Sequence, residues 1–232
     1  MTISNYTELL SGVSNEAARS DLTTRIVEFV ARGEDRIARD LRIKEMEASA
    51  DLTAKAAVAI AAADVGGTAN AITLANSTVV TSNTLGDTYS FVAEGTNTGA
   101  VTVQIDSVAA VAVKKEDGTI ALAAGDIVIG ATYHFYFDGT YFRIVPPGGI
   151  PLPTNFLESR RVLITTDPVT TLNIYDPVNF WETYSSSRVG LPKSCAVEGY
   201  NLLLGPRPDG TYYVKLLFYK RWTALATTAT NW

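Results

Sequence analysis

The clearest structural signal in the sequence is the stretch TYHFYFDGTYFRIV, residues 132–145. Aromatic and β-branched residues flank Asp138-Gly139, a dipeptide that favours the two-residue turn of a β-hairpin. The same strand-like patterning extends back to Ala69 and is interrupted by further glycine-containing turn signals. Short strands joined by tight turns, with few charged residues between them, predict a small all-β sandwich.

This β-rich stretch differs in composition from the chain on either side of it. Residues 53–145 are rich in Ala, Thr, Val and Gly, and they carry about as many charged side chains as the much shorter stretch 21–47. A linker rich in proline and glycine, residues 146–149, follows. One composition nested inside another predicts an inserted module at residues 53–145. Residues 1–52 and 146–232 are then expected to form one discontinuous domain with a shared core.

The segment Asp21–Glu47 has the pattern of an amphipathic helix. Ser20 stands at the N-cap position, and Gly33 lies within the apolar stripe, where a neighbouring backbone could approach. The stripe recurs every three to four residues and contains Leu22, Ile26, Phe29, Val30, Ile37 and Leu41. Because short strands are predicted after the linker, the host domain mixes helix and strand. The predicted fold class is therefore α+β, with an inserted all-β sandwich.

Composition and charge exclude several classes of protein. Apolar residues make up 47 % of the chain and charged residues 19 %, which is typical of a folded globular protein. The net charge of −5, without a basic stripe, disfavours a protein that grips nucleic acid through its phosphates. Residues 1–5 lack the features of a signal peptide, and the apolar run 56–63 is too short to span a bilayer. We therefore expect synthesis in the cytoplasm and no membrane partner.

Residues with catalytic potential are few. His134 is the single histidine and Cys195 the single cysteine, so the sequence offers no second partner for a catalytic triad or a thiolate zinc site. Glu34, Asp35 and Asp40 could act as paired acids in glycoside hydrolysis. The arginines beside them favour a solvated or interfacial helix face instead. We predict a structural or interaction protein that is not an enzyme and needs no cofactor.

Three aromatic residues of the hairpin region offer a different kind of site. Tyr133, Tyr136 and Tyr141 could form an outward surface that stacks sugars or docks another protein. Core packing and cross-strand pairing would explain the same residues. A carbohydrate- or fibre-binding module is therefore kept as an alternative function.

Three segments together resemble the phage head-to-tail adaptor, or head-closure, family. The first is the helix with its arginine-rich end, residues 20–46, and the second is IPLPTNFLE, residues 150–158. Asn155 stands in that second segment where the family usually has an acid. The third is YNLLLGPRPDGTY, residues 200–212, followed by the final Asn231-Trp232. The inserted stretch is itself similar to β modules of phage tail fibres, through residues 67–74, 97–103 and 121–142.

The resemblance implies a structural protein of the virion neck and tail, made in the host cytoplasm. Such adaptors form a ring, usually dodecameric, that joins the portal protein to the tail and continues the DNA channel. Genome DNA would pass without specific binding. Further partners would be the tail nozzle or other tail proteins, including fibres docked on the insert. A cell-wall hydrolase associated with the adaptor is the enzymatic alternative.

The resemblance also assigns roles to two groups of residues. The helices would pack side by side around the ring, with contacts between copies made by Arg32, Asp35, Arg36, Arg39 and Arg42. The C-terminal arm would reach the portal protein through Leu225, Thr228, Asn231 and Trp232. Alternating acids and arginines on the helix would set the register between copies more than they would add affinity.

Overall fold

The fold is predominantly β, which corrects the predicted α+β class. A computed structural model describes residues 6–17, 23–59, 65–166, 168–184 and 188–221. Strands make up 40 % of the structure and helices 18 %. The prediction was wrong because it extended the long helix too far and underestimated the strands on either side of the insert.

The long helix ends earlier than its charge pattern suggests. Helix α1 spans Tyr6–Ala17, helix α2 spans Thr23–Asp40, and a short 3₁₀ helix spans Lys44–Met46. The predicted N-cap, Ser20, lies outside the described residues. At the other end, Arg42 Nη1 donates to the carbonyl oxygens of Arg39, at 3.1 Å, and Leu41, at 2.8 Å. These bonds satisfy carbonyls that a longer helix would have paired, and the chain is in strand from Glu47.

One eight-stranded sheet contains the strands of the predicted insert. In sheet order the strands are β2, β5, β8, β9, β7, β6, β4 and β3. Their bounds are β2 Val58–Ala59, β3 Val65–Thr68, β4 Ala71–Leu74, β5 Thr88–Val92, β6 Thr102–Ile105, β7 Val111–Lys114, β8 Thr132–Phe137 and β9 Phe142–Val145. The sheet is continuous and curled, not the pair of stacked sheets that a sandwich requires. Parallel pairings of β7 with β9 and of β4 with β6 join what would otherwise be separate sheets.

An aromatic core fills the concave side of the curled sheet. Phe135 lies 4.9 Å from Phe91 and 6.4 Å from Phe142, measured between ring centroids. All three rings are at most 1 % exposed. Aliphatic residues complete the cluster, among them Leu74, Val103, Ile105, Val113 and Ile127. The predicted hairpin at Asp138-Gly139 joins β8 to β9 as expected.

Two four-stranded sheets make up the remaining β structure. One has the order β1 Glu47–Ala54, β16 Tyr212–Lys220, β11 Phe156–Ile164 and β12 Thr170–Thr171. The other has the order β10 Gly149–Pro151, β15 Asn201–Gly205, β14 Ser194–Glu198 and β13 Asn173–Tyr175. Helix α3, Pro177–Thr183, packs on the second sheet, and Asp176 caps it by accepting from the Val178 N–H at 2.9 Å.

The chain divides into two compact units. One contains the residues up to Ala48 and those from Tyr219 onward, and the other contains Ser49–Phe218. These bounds come from contacts within the chain and differ from the predicted boundaries at residues 53 and 145. The division into a discontinuous host domain and an insert stays a prediction.

Aspartates fix several turns of the curled sheet by accepting backbone N–H groups. Asp138 accepts from Thr140 and Tyr141, at 2.9 and 2.8 Å, and its other oxygen pairs with Arg143 Nε at 2.5 Å. Burial alone would raise the pKa of Asp138, but these hydrogen bonds and the Arg143 charge together hold the pKa below its ordinary value. Gly118 lies against the same guanidinium, which leaves no room for a Cβ at this position.

We expect Asp138→Asn to destabilise the protein by about 2 kcal/mol at neutral pH, because a half-buried charged partner of Arg143 is lost. A carboxyl whose folded pKa is lowered stabilises the protein above its unfolded pKa of about 4, and that stability is lost as the pH falls through the folded pKa. The difference from wild type should therefore shrink between pH 5 and about pH 2, measured by urea unfolding. Asp51→Asn, which removes an 83 % exposed partner of Lys215, should change the unfolding free energy by less than about 0.5 kcal/mol. A pH-independent difference for Asp138→Asn would contradict the assignment.

Candidate interaction surfaces

Helix α2 carries an apolar stripe that is largely exposed in the single chain. Ile26 is buried at 4 % exposure, but Phe29 is 63 % exposed, Ile37 50 % and Leu41 47 %. A strongly amphipathic helix normally buries its apolar face. The stripe defined by Phe29, Ile37 and Leu41 is therefore the most evident candidate for a protein contact.

The predicted interface residues of α2 occupy different environments. Arg32 and Asp35 are exposed. Arg36 and Arg39 both pair with Asp40, at 3.3 and 3.4 Å, and all three side chains are more than half exposed. Exposed pairs of this kind contribute little to folding. Their charges consequently remain accessible to another protein.

Arg42 differs from the other four predicted interface residues because its side chain is held within its own chain. Besides its hydrogen bonds to the carbonyls of Arg39 and Leu41, its guanidinium lies 5.5 Å from the centre of the Tyr219 ring. This distance is typical of a cation–π contact. The structure thus gives Arg42 a role in ending the helix, which sequence periodicity did not anticipate.

Gly33 lies in open space on the same helix. No atom lies within 4 Å of where its Cβ would be, apart from its chain neighbours and the backbone of its own helix. The close backbone approach that the sequence suggested is not made by any of the described residues. Glycine in the middle of a helix costs about 1 kcal/mol relative to alanine. No contact with another described residue compensates for that cost in helix stability.

The three acids considered for hydrolysis do not converge on one point. Successive helical residues are rotated by about 100°, so the carboxylates of Glu34 and Asp35 point in different directions. Asp40 is engaged by two arginines, as described above. This geometry does not resemble the facing pair of carboxyl groups that flanks a glycosidic bond.

The three tyrosines also fail to share a surface. Tyr136 is 4 % exposed, and its hydroxyl donates to the Thr53 carbonyl at 2.9 Å. Burial raises the pKa of Tyr136 above its ordinary value. Tyr133 is half-buried on the opposite face of β8, where its hydroxyl accepts from the Val128 N–H at 2.8 Å. Only Tyr141 is exposed, with Lys114 Nζ 5.1 Å from its ring centre.

The single cysteine and the single histidine are placed differently. Cys195 is fully buried in β14, and burial raises the pKa of its thiol to about 12. Such a thiol is a poor nucleophile. His134 lies on the outer face of the curled sheet, where burial and the charge of Arg207 lower its pKa. The sequence did not predict this neighbour, because Arg207 lies 73 positions farther along the chain.

The residues predicted to bind the portal protein lie outside the described residues. They are Leu225, Thr228, Asn231 and Trp232.

Within the described ranges, no group of three or more His, Cys, Asp and Glu side chains could hold a metal ion. None of the helices in these ranges is both long and apolar enough to cross a membrane.

Comparison with known proteins supports part of the predicted resemblance. No curated protein matches the chain. Residues 109–232, more than half of the chain, match the sequence model of a family described as SU10 adaptor protein. The match begins inside the predicted insert, and the similarity of that insert to tail-fibre modules is not confirmed. The chain therefore belongs to the SU10 adaptor protein family and is a structural protein of the phage adaptor type.

Proposed function

We propose that the chain is one subunit of an adaptor ring that joins the portal protein to the phage tail and continues the DNA channel. Membership of an adaptor family supports a structural role in the virion. The main support for ring formation is the exposed apolar stripe of α2, because a subunit gains free energy when another copy covers that stripe. In this proposal the chain acts by assembly and not as an enzyme.

The stripe supplies the attraction between copies. Complete burial of a large apolar side chain is worth about 1.5–3 kcal/mol, so covering half-exposed Phe29, Ile37 and Leu41 would contribute about 1 kcal/mol each. Gly33 lies between them on the stripe and would let a neighbouring backbone come close. The contact is small for one pair of subunits, but a closed ring repeats it at every interface.

The charges beside the stripe would orient the contact. At about 100° per residue, Arg25, Arg32 and Arg36 share one edge of the stripe and Glu34 lies on the other edge. Helices packed side by side would bring the basic edge of one copy to the acidic edge of the next. A contact between different edges is head-to-tail, the type that generates rings when the rotation closes. The dodecameric copy number is part of the proposal through the family resemblance.

We expect the double variant Phe29→Ser/Ile37→Ser to assemble poorly, alone or with the portal protein of the same phage. The concentration for half-assembly should rise at least about tenfold, equivalent to about 1.4 kcal/mol per interface. Light scattering after size-exclusion chromatography over a dilution series would measure it. Val169→Ser removes an equally exposed apolar side chain from the other unit, at 63 % exposure, and should assemble normally. Normal assembly of the double variant would refute the role of the stripe.

The charge arrangement makes a separate prediction. Arg32→Glu and Glu34→Arg should each weaken assembly several-fold, because like charges would meet across the contact. The double variant should recover most of the loss, and the differences should decrease at high salt. Arg161→Glu, a reversal of an exposed charge on β11, serves as the control. If the double variant assembles no better than the single ones, Arg32 and Glu34 do not pair between copies.

The portal and tail contacts belong to other surfaces. We propose that Leu225, Thr228, Asn231 and Trp232 bind the portal protein. Tyr141, the exposed one of the three tyrosines, remains a candidate for contact with the tail nozzle, other tail proteins or fibres. The net charge of −5 suits a channel wall through which DNA passes without being held.

We expect Asn231→Ala/Trp232→Ala to lose binding to the portal protein while keeping its thermal unfolding midpoint. Co-sedimentation with assembled portals, followed by negative-stain microscopy, would measure the loss and show whether wild-type rings sit at the portal. Tyr213→Ala removes a 58 % exposed aromatic side chain from β16 and should bind portals normally. Unchanged binding by the double variant would place the portal contact elsewhere. Failure of the wild-type protein to form rings on portals would refute the proposed function as a whole.

A further inference from the structure

The outer face of the curled sheet is polar where its inner face is aromatic. On β8, His134 and Tyr136 point away from the core that contains Phe135 and Phe137. Across the sheet, His134 pairs in register with Ser90 of β5, and Tyr136 pairs with Thr88. These four side chains give the outer face hydroxyl and imidazole groups in adjacent positions.

Two adjoining cavities lie over this polar face. One has a volume of about 210 Å³ and is lined by Thr88, Tyr136 and the 148–150 backbone. The other is an open groove of about 690 Å³, lined by Thr132, His134, Glu116 and the two prolines of the linker. Ser90 and Arg207 line both. Arg207 therefore stands at the boundary between the two spaces.

The backbone holds Arg207 firmly in this position. Its N–H donates to the Arg188 carbonyl at 3.0 Å, and its own carbonyl accepts from the Gly190 N–H at 2.8 Å. Gly148, with φ of +76°, lies beside the Arg207 stem, and a Cβ there would come 3.0 Å from Arg207 Cγ. The Arg207 backbone is thus fixed by hydrogen bonds and its stem packs against Gly148, which reduces the entropy lost on binding a ligand.

Two residues that line the groove each have a buried nitrogen without a hydrogen-bond partner among the described residues. Nε of Arg207 and Nδ1 of His134 are shielded from solvent, and neither has a hydrogen-bond partner among the described residues. Within the same ranges, no carboxylate lies at ion-pair distance from Arg207, whereas Lys55, Lys115 and Arg143 each pair with an aspartate. A buried guanidinium nitrogen left unpaired is costly. The Arg207 guanidinium therefore borders the groove with its charge unmatched by any carboxylate of the described residues.

We propose that this groove binds an oxyanion, either a carboxylate or a phosphate group, with Arg207 as the main contact and His134, Ser90 and Thr132 as supporting donors. A planar guanidinium matches the paired oxygens of such groups. The hydroxyls of Ser90 and Thr132 can donate to the remaining oxygens. Glu116 also lines the groove, and its negative charge would repel part of a bound anion. The site would therefore be limited to small anions. The proposal does not depend on ring formation.

The titratable groups around His134 define what binding should change. Arg207 and Glu116 face the same groove, and Lys55 borders the smaller cavity, paired with Asp87 at 2.8 Å. Burial and the Arg207 charge lower the pKa of His134. An anion bound beside Arg207 would offset its charge and raise the pKa of His134. Because the chain has one histidine, its imidazole resonances need no assignment.

The test is an NMR titration of the full-length protein labelled in histidine. Inorganic phosphate, added at constant ionic strength against chloride, should shift the imidazole resonances saturably, with a Kd on the order of 1–10 mM. The His134 pKa should rise by about half a unit or more. A parallel titration with acetate tests in the same way whether a carboxylate binds. If an acidic side chain of a neighbouring copy supplies the anion instead, the same shift should appear on assembly without added anion.

The variants separate this site from general ion effects. Arg207→Gln should abolish the response in every arm, and Arg207→Lys, which keeps the charge but loses the planar fork, should weaken it several-fold. Arg161→Gln, at an exposed site on β11, should respond like wild type. The wild-type titration itself decides the question if Arg207→Gln does not fold. No saturable shift in any arm, or an equal shift in Arg207→Gln, would overturn the proposal.

Discussion

The packing of the Phe91, Phe135 and Phe142 rings is the interaction on which the larger unit depends. These rings are buried almost completely on the inner side of one curled sheet. Because side chains alternate along a strand, burying Phe135 and Phe137 inside forces His134 and Tyr136 outside. A register shift of one residue would place the histidine in the aromatic core. The aromatic core therefore also determines the chemistry of the outer face.

The two units differ in how completely they bury their apolar residues. The curled sheet buries an aromatic core of its own, although loop residues such as Ile120 and Ile129 stay exposed. Helix α2 instead leaves most of its stripe uncovered, although Ile26 is buried. In the proposed ring, neighbouring copies would cover this stripe. The surface charges of α2 would be available for the same contact, since they contribute little to the fold.

Local patterns predicted much of the structure. The hairpin at Asp138-Gly139 follows from turn chemistry and period-two patterning, and it joins β8 to β9. The fold class was wrong because strand pairing depends on contacts far apart in sequence. The continuous sheet needs β7 beside β9 and β4 beside β6, which no local pattern encodes. For the same reason, the groove lined by Arg207 and His134 was not predicted. The apolar stripe of α2, in contrast, was predicted from the helical periodicity.

Cys195 has a practical consequence because it is fully buried and its thiol pKa is raised to about 12. The native chain consequently offers no readily reactive thiolate at neutral pH. A cysteine introduced at an exposed position would be the dominant target for maleimide dyes, spin labels or cross-linkers, without first replacing Cys195. The natural sequence is thus a ready background for distance measurements between labelled copies.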